Sequence, residues 1–362
     1  MRQHDIVPFP NGAESNGFFA ALSSALMPCL GITPDTPFWC SPQGSWCIRC
    51  QKNCNRWYRH QEMLYHTLLT VSGVAFTFDY PEDDDVPFHT MPNIPIGWRW
   101  DEPFVANIMD FIRLSYERHT DKSVSEMREL LRRSIDNGYT ALCANTCSTA
   151  ENTTWAKCWN VVCGYTDEGI LVMHHGGEIT VESDAMYSDW IMITGKTERK
   201  QTYRDVLKRI CAVLTDSSHD VLEQEIYRDL SNVNENNAIE ITNKIVGING
   251  IPIETRWHAA EAFCSADNLL SSLTENTAVK SKLANLFFDR YIANNNNETH
   301  GIGWKIWDLL QVKPETGYRP TEDSFVLIQN TEVQDELKRL WKLVFDNDRA
   351  VAAEMRKTLD EI

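Results

Sequence analysis

The chain has no apolar run approaching the ~20 residues that a membrane helix needs. Its first residues, MRQHDIVPFPNG, show no basic stretch followed by an apolar core, so no secretory signal is expected and the cytoplasm is the expected compartment. Positive charge is scarce. The 34 Lys and Arg stand against 51 Asp and Glu, a net charge of −17, which argues against phosphate-backbone binding as the main activity. The chain also lacks an internal repeat of solenoid type. HGIG at 300–303 has neither the preceding strand nor the Lys of a phosphate loop. Neither a membrane nor a nucleic acid is therefore an expected partner.

Cysteine, by contrast, is abundant: eleven residues, an odd number. Without a secretory signal these are expected as reduced thiols, as small buried apolar groups or as metal ligands, rather than as a disulfide framework. At 362 residues the chain is long enough for two domains, by the usual ~100–200 residues per domain.

Hydrophobic spacing divides the chain near residue 197. In residues 1–197 helices mix with short apolar strands. NGFFAALSSALMPCLG and RHQEMLYHTLLTVSG carry apolar residues at helical spacing, the second stopping at Gly73, and VAFTFDY then alternates like a strand. SVSEMRELLRRSIDNG has Ser123 as a cap with Glu126 three residues on, and a stop at Gly138. YTALCA, CWNVVCGY and GILVMHH read as strands, with Thr-Asp-Glu-Gly as a hairpin turn. PEDDD at 81–85 reads as a solvated loop. Over 198–362 nearly every segment is helical in pattern, with IANNNNETHGIG as a loop. The tryptophans Trp257, Trp304, Trp307 and Trp341 fall in these helical patterns and are expected to pack in the core or between the domains, the alternative being an aromatic pocket for an apolar or cationic ligand. The expected architecture is α+β: a mixed domain with a central antiparallel sheet, followed by an all-helical domain.

Two constellations carry chemistry. In WAKCWNVVCGYTDEGILVMHHGG, Cys158 and His174 fall on successive strands of a hairpin. They are either a thiol–imidazole pair or packed strand residues, and nothing in the sequence supplies an orienting group or an oxyanion hole. In FWCSPQGSWCIRCQKNCNRW, Cys40, Cys47, Cys50 and Cys54 are spaced as Cys-x6-Cys-x2-Cys-x3-Cys. Four thiolates suit a structural zinc or an iron–sulfur cluster. The alternative is a loop whose cysteines pack with Trp39, Trp46 and Trp57.

GFFAALSSALMPCLG, LLTVSGVAFTF, LLRRSIDNGYTALCA and CWNVVCGYTDEGILV, taken in order, resemble the N-terminal domains of the bacterial butirosin biosynthesis protein H family. The helical half is similar to the same group through GIPIETRWHAAEAF, GWKIWDLL and DNDRAVAAEMRKTLDEI. The resemblance implies a papain-like fold, as in bacteriocin-leader peptidases. A nucleophilic Cys opens a helix near the N-terminus, a His opens a later strand, and an Asp or Asn on the next strand orients it. In that family the chemistry serves acyl transfer. Carried over by position, Asn16 stands for the nucleophile, Cys158 for the base and His174 for the orienting acid, while Trp159, Gly164 and Tyr165 fit the pattern. Trp159 and His175 are then the expected ligand contacts.

All three triad positions depart from the pattern. The leading expectation is a catalytically degenerate papain-like protein that binds a small molecule, peptide or partner protein in a cleft between its domains. The alternatives are a thiol-dependent acyltransferase or amide hydrolase using Cys158 and His174, and a zinc or iron–sulfur protein built on Cys40, Cys47, Cys50 and Cys54.

Overall fold

The computed structural model describes residues 1–4, 17–33, 35–36, 56–78, 102–148, 155–174, 177–265, 268–293 and 298–362. Two units divide the chain: Met1–Leu68 with Thr90–Gln201, and Leu69–His89 with Thr202–Ile362. The segment Leu69–His89 is thus part of the second unit, although it lies among first-unit residues in sequence.

The described elements of the first unit are β1 (Arg2–Gln3), α1 (Gly17–Cys29), α2 (Arg56–Val71, whose last turn passes into the second unit), α3 (Glu102–Ile112), β2 (Leu114–Ser123), α4 (Val124–Asp136), β3 (Ala141–Ser148), β4 (Trp155–Tyr165), β5 (Ile170–Met173), β6 (Ile179–Glu182) and β7 (Met186–Lys196). The strands form one antiparallel sheet in the order β2-β7-β3-β4-β5-β6, with β1 paired to the end of β4. Ser123 ends β2 and starts α4 within one residue. Its hydroxyl accepts from the Glu126 backbone N–H while the Glu126 carboxylate accepts from the Ser123 N–H, the capping box that the sequence announces. The hairpin between β4 and β5 closes where expected, with the Thr166 N–H donating to the Gly169 carbonyl at 2.8 Å.

Side chains alternate across this sheet, and each face has its own cover. Ala141 and Cys143 of β3, Val162 of β4, and Ile170 and Val172 of β5 pack with Val124, Met127, Leu131 and Ile135 of α4. The intervening residues face the other way. Thr140 donates from its hydroxyl to the Ala25 carbonyl of α1 at 2.8 Å, and Trp159 meets Phe18 of α1. The centre of the sheet is therefore covered on both faces, while β6 at one edge and much of β2 at the other stay partly exposed, which explains why CWNVVCGY and GILVM are nearly continuous apolar runs.

The second unit adds α5 (Tyr203–Leu214), α6 (Ser217–Ser231), α7 (Ala238–Cys264), α8 (Thr277–Tyr291), α9 (Thr299–Leu309), α10 (Glu322–Leu327) and α11 (Thr331–Leu359). Its core joins Ile245 and Ile248 of α7, Ile302 and Ile306 of α9, and Leu340, Trp341, Val344 and Phe345 of α11. Trp307 and Trp341 are buried there, as their helical spacing suggests, whereas Trp257 and Trp304 are only half-buried. Helices α7 and α9 approach closely at Gly303, where a Cβ would overlap the Ile253 side chain. No helix among the described residues is long and apolar enough to cross a membrane.

Two segments differ from expectation. The HGIG stretch, read as loop, forms the first turns of α9, because Ile302, Ile306 and Trp307 bury one helical stripe. Residues 74–78, the described part of VAFTFDY, are not a strand. Gly73, at φ 87°, ends α2, and Val74–Phe76 then make a single 3-10 turn. The reason is Arg256 of α7, which lies wholly buried. Its Nη1 donates to the carbonyls of Ala75 and Thr77 at 2.7 and 3.1 Å, and its Nη2 to that of Phe76 at 3.2 Å. Three successive carbonyls converging on one guanidinium cannot alternate as a strand requires. On its other side the guanidinium forms a bidentate pair with Asp348 of α11, at 2.7 and 3.3 Å, and the Tyr291 hydroxyl donates to the same carboxylate at 2.8 Å.

Phe78 extends this clamp. Its ring lies 4.4 Å from the Arg256 guanidinium carbon and 5.1 Å from the ring of His219 in α6. Burial, and then the Arg256 charge, hold His219 below the ordinary imidazole value of 6.5; Asp348, Asp216 and Asp220 oppose this. The unfolded chain therefore takes up this proton more readily than the folded one. The stabilisation from a neutral His219 is complete above pH 6.5 and is lost as pH falls below it. We expect the urea midpoint to fall with pH in that window and the fall to flatten in His219→Gln; an unchanged slope would assign the effect to other groups.

Candidate functional site

The start of α1 meets the sheet at β4. Phe18, the second residue of α1, packs edge-on against Trp159 with ring centroids 5.1 Å apart, and both side chains are buried. Ladder pairing places Ala144 of β3 opposite Trp159 and also opposite Asp189 of β7. Asp189 is fully buried, and Arg118 of β2 grips its carboxylate through Nε at 2.9 Å and Nη2 at 2.5 Å. A buried charge needs such a fork-shaped partner to offset its lost hydration. Trp159, Ala144 and Asp189 thus share one cross-strand row on the α1-facing side. Asn16, just before α1, lies outside the described residues, as does His175.

Cys158 belongs to β4 and is paired in the ladder with Asn145; its side chain lies outside the described residues. His174 directly follows β5. The register pairs Val172 with Thr180 and Ile170 with Glu182, which puts Thr180 and Glu182 on the face that α4 covers. The His174 ring lies with them. Its Nε2 is 2.7 Å from the Thr180 hydroxyl, which donates to Glu182 Oε1 at 2.9 Å. The sheet therefore stands between the His174 ring and the Phe18–Trp159 contact.

The described thiols are not activated. Cys29, Cys143, Cys163, Cys211 and Cys264 are all free of disulfides, and the first four are buried. Burial raises Cys29 and Cys211 above the ordinary thiol value, pushes Cys163 up to about 11, and drives Cys143 higher still, helped slightly by the Glu182 charge. Such thiols stay protonated and make poor nucleophiles and poor metal ligands. Cys264 is exposed and donates to the Ala284 carbonyl at 3.5 Å. Cys40, Cys47, Cys50 and Cys54 lie outside the described residues. Among the described residues, no group of three or more His, Cys, Asp or Glu side chains is placed to hold a metal ion.

Two sets of polar residues escaped the sequence reading. Thr180 and Glu182 lie in ITVE, where period-2 spacing puts them on one face, but only the β5–β6 register shows that His174 shares it. Asp189 and Arg118 are 71 positions apart, and no local pattern links them. No family model, curated protein or solved structure matches this chain.

Proposed function

We propose that the mixed unit is a papain-like scaffold that has lost thiolate chemistry and binds a small molecule, peptide or partner protein in the cytoplasm. The observation that carries this reading is the Phe18–Trp159 contact. It sets the beginning of an N-terminal helix against the strand that would present the base, as a papain-like site requires. Around that arrangement the ordinary chemistry is missing. The sequence offers Asn16 where the nucleophile belongs and Cys158 where the base belongs. The residue in the orienting position, His174, commits its ring to Thr180 on the opposite face of the sheet. The imidazole therefore stands away from the helix that would present the nucleophile. The free, protonated thiols accord with a reducing compartment.

Limiting iodoacetamide on the folded protein, followed by mass spectrometry, tests the reading. Cys143 and Cys163 should resist alkylation until the chain is unfolded, and Cys158 should react no faster than free cysteine under the same conditions. Rapid, selective alkylation of Cys158 that slows in His174→Ala would replace this reading with a thiol-dependent transferase or hydrolase.

A further inference from the structure

The hairpin of β5 and β6 holds a second feature, independent of the thiols. A threonine hydroxyl has one proton, and Thr180 gives it to Glu182 Oε1 at 2.9 Å. The 2.7 Å contact between Thr180 and His174 Nε2 can then be a hydrogen bond only if Nε2–H donates. The neutral ring accordingly carries its proton on Nε2 and its lone pair on Nδ1. Glu182 also lies 3.6 Å from Nε2, and the His174 side chain is 32% exposed. Among the described residues none meets Nδ1.

A relay near the surface stabilises the fold little, because hydrogen bonds there compete with water and three side chains must be ordered to form it. What it does provide is a ring fixed in one tautomer and one orientation. Behind it on the same face, burial and the charge of Glu182 keep Tyr187 and Cys143 protonated. Neither neighbour therefore becomes an anion that would compete with Glu182 for the ring.

We propose that His174 Nδ1 is a ligand contact, accepting a hydrogen bond from a hydroxyl or amine group of a small polar molecule, and that Thr180 and Glu182 are its positioning residues. The inference rests on the binding role proposed above and names an atom that performs it. The site lies on the α4-covered side of the sheet, not at the start of α1.

Protein labelled with 15N in its histidine rings tests the tautomer, with His174→Gln assigning the resonance. In wild type and in Thr180→Ser the neutral ring should be protonated at Nε2 alone, whereas Thr180→Val should give a mixture of tautomers. Diethyl pyrocarbonate, which acylates an unprotonated imidazole nitrogen, probes the lone pair. His174 should be modified faster than the buried His66, His219 and His258. Glu182→Gln should slow that reaction several-fold at unchanged Tm, because the carboxylate no longer supports the charge that develops on the ring. A wild-type ring protonated at Nδ1, a tautomer unchanged in Thr180→Val, or a His174 inert to the reagent would each overturn the proposal. Selective alkylation of Cys158 would instead remove the thiol-inactive reading and leave the tautomer result standing.

Discussion

Arg256→Met is expected to cost about 3–5 kcal/mol of folding stability, because it leaves the Asp348 carboxylate buried without its counter-charge. Asp348 is 1% exposed and Arg256 0%, so water cannot step in for either. Whole domains are stable by only about 5–15 kcal/mol, so the loss would bring the helical unit close to unfolding. Urea unfolding combined with hydrogen exchange across α7, α8 and α11 would measure it. A loss below about 1 kcal/mol would mean that the pair behaves like a solvated surface bridge. The double variant Arg256→Met/Asp348→Leu separates two roles of the arginine. An ion pair replaced whole by apolar side chains is often near neutral. Here the carbonyls of Ala75, Phe76 and Thr77 would still lose their donor, at about 1–3 kcal/mol for each group left buried and unsatisfied. The double variant should therefore recover only part of the loss.

A fragment of residues 202–362 is expected not to fold cooperatively by itself, although sequence pattern marks it as a self-contained helical domain. Phe76 is fully buried, with its ring centroid 5.9 Å from that of Phe287 and 6.5 Å from that of Tyr291. Phe78 packs 5.0 Å from Phe345 and 6.4 Å from Trp341. Removing a buried Phe side chain typically costs about 3–5 kcal/mol, and the fragment would lack two aromatic rings as well as the carbonyls that saturate Arg256. Joining residues 69–78 to the fragment through a flexible linker should restore a cooperative transition and sharp near-UV circular dichroism. A fragment that already shows both would refute the requirement.

Much of the first unit is legible because its signals are local. The capping box at Ser123 and Glu126 and the hairpin turn at Thr166–Gly169 depend on residues three apart. VAFTFDY misleads because Val74, Phe76 and Phe78 do alternate, while their backbone is set by an arginine about 180 positions away. The loop assignment at HGIG fails for a related reason. Gly301 and Gly303 lower local helix propensity, yet contact with α7 favours a glycine at 303. Of the candidate site, Trp159 and His174 were marked by type and position. The partners that define their roles, Phe18, Thr180 and Glu182, were not, because facing across strands depends on register.

Residue order and periodicity alone were enough for the α+β character, the antiparallel hairpin, the helical second half and the excess of acidic over basic charge. These follow from periodicity and charge, which any window of the chain displays. Three-dimensional packing alone reveals that Leu69–His89 belongs with the helices, that four described thiols are buried and protonated, and that His174 faces away from α1. The physical reason is the same in each case. Burial and strand facing are set by which distant segment lies alongside, and a one-residue change in register would turn the His174 ring to the other face.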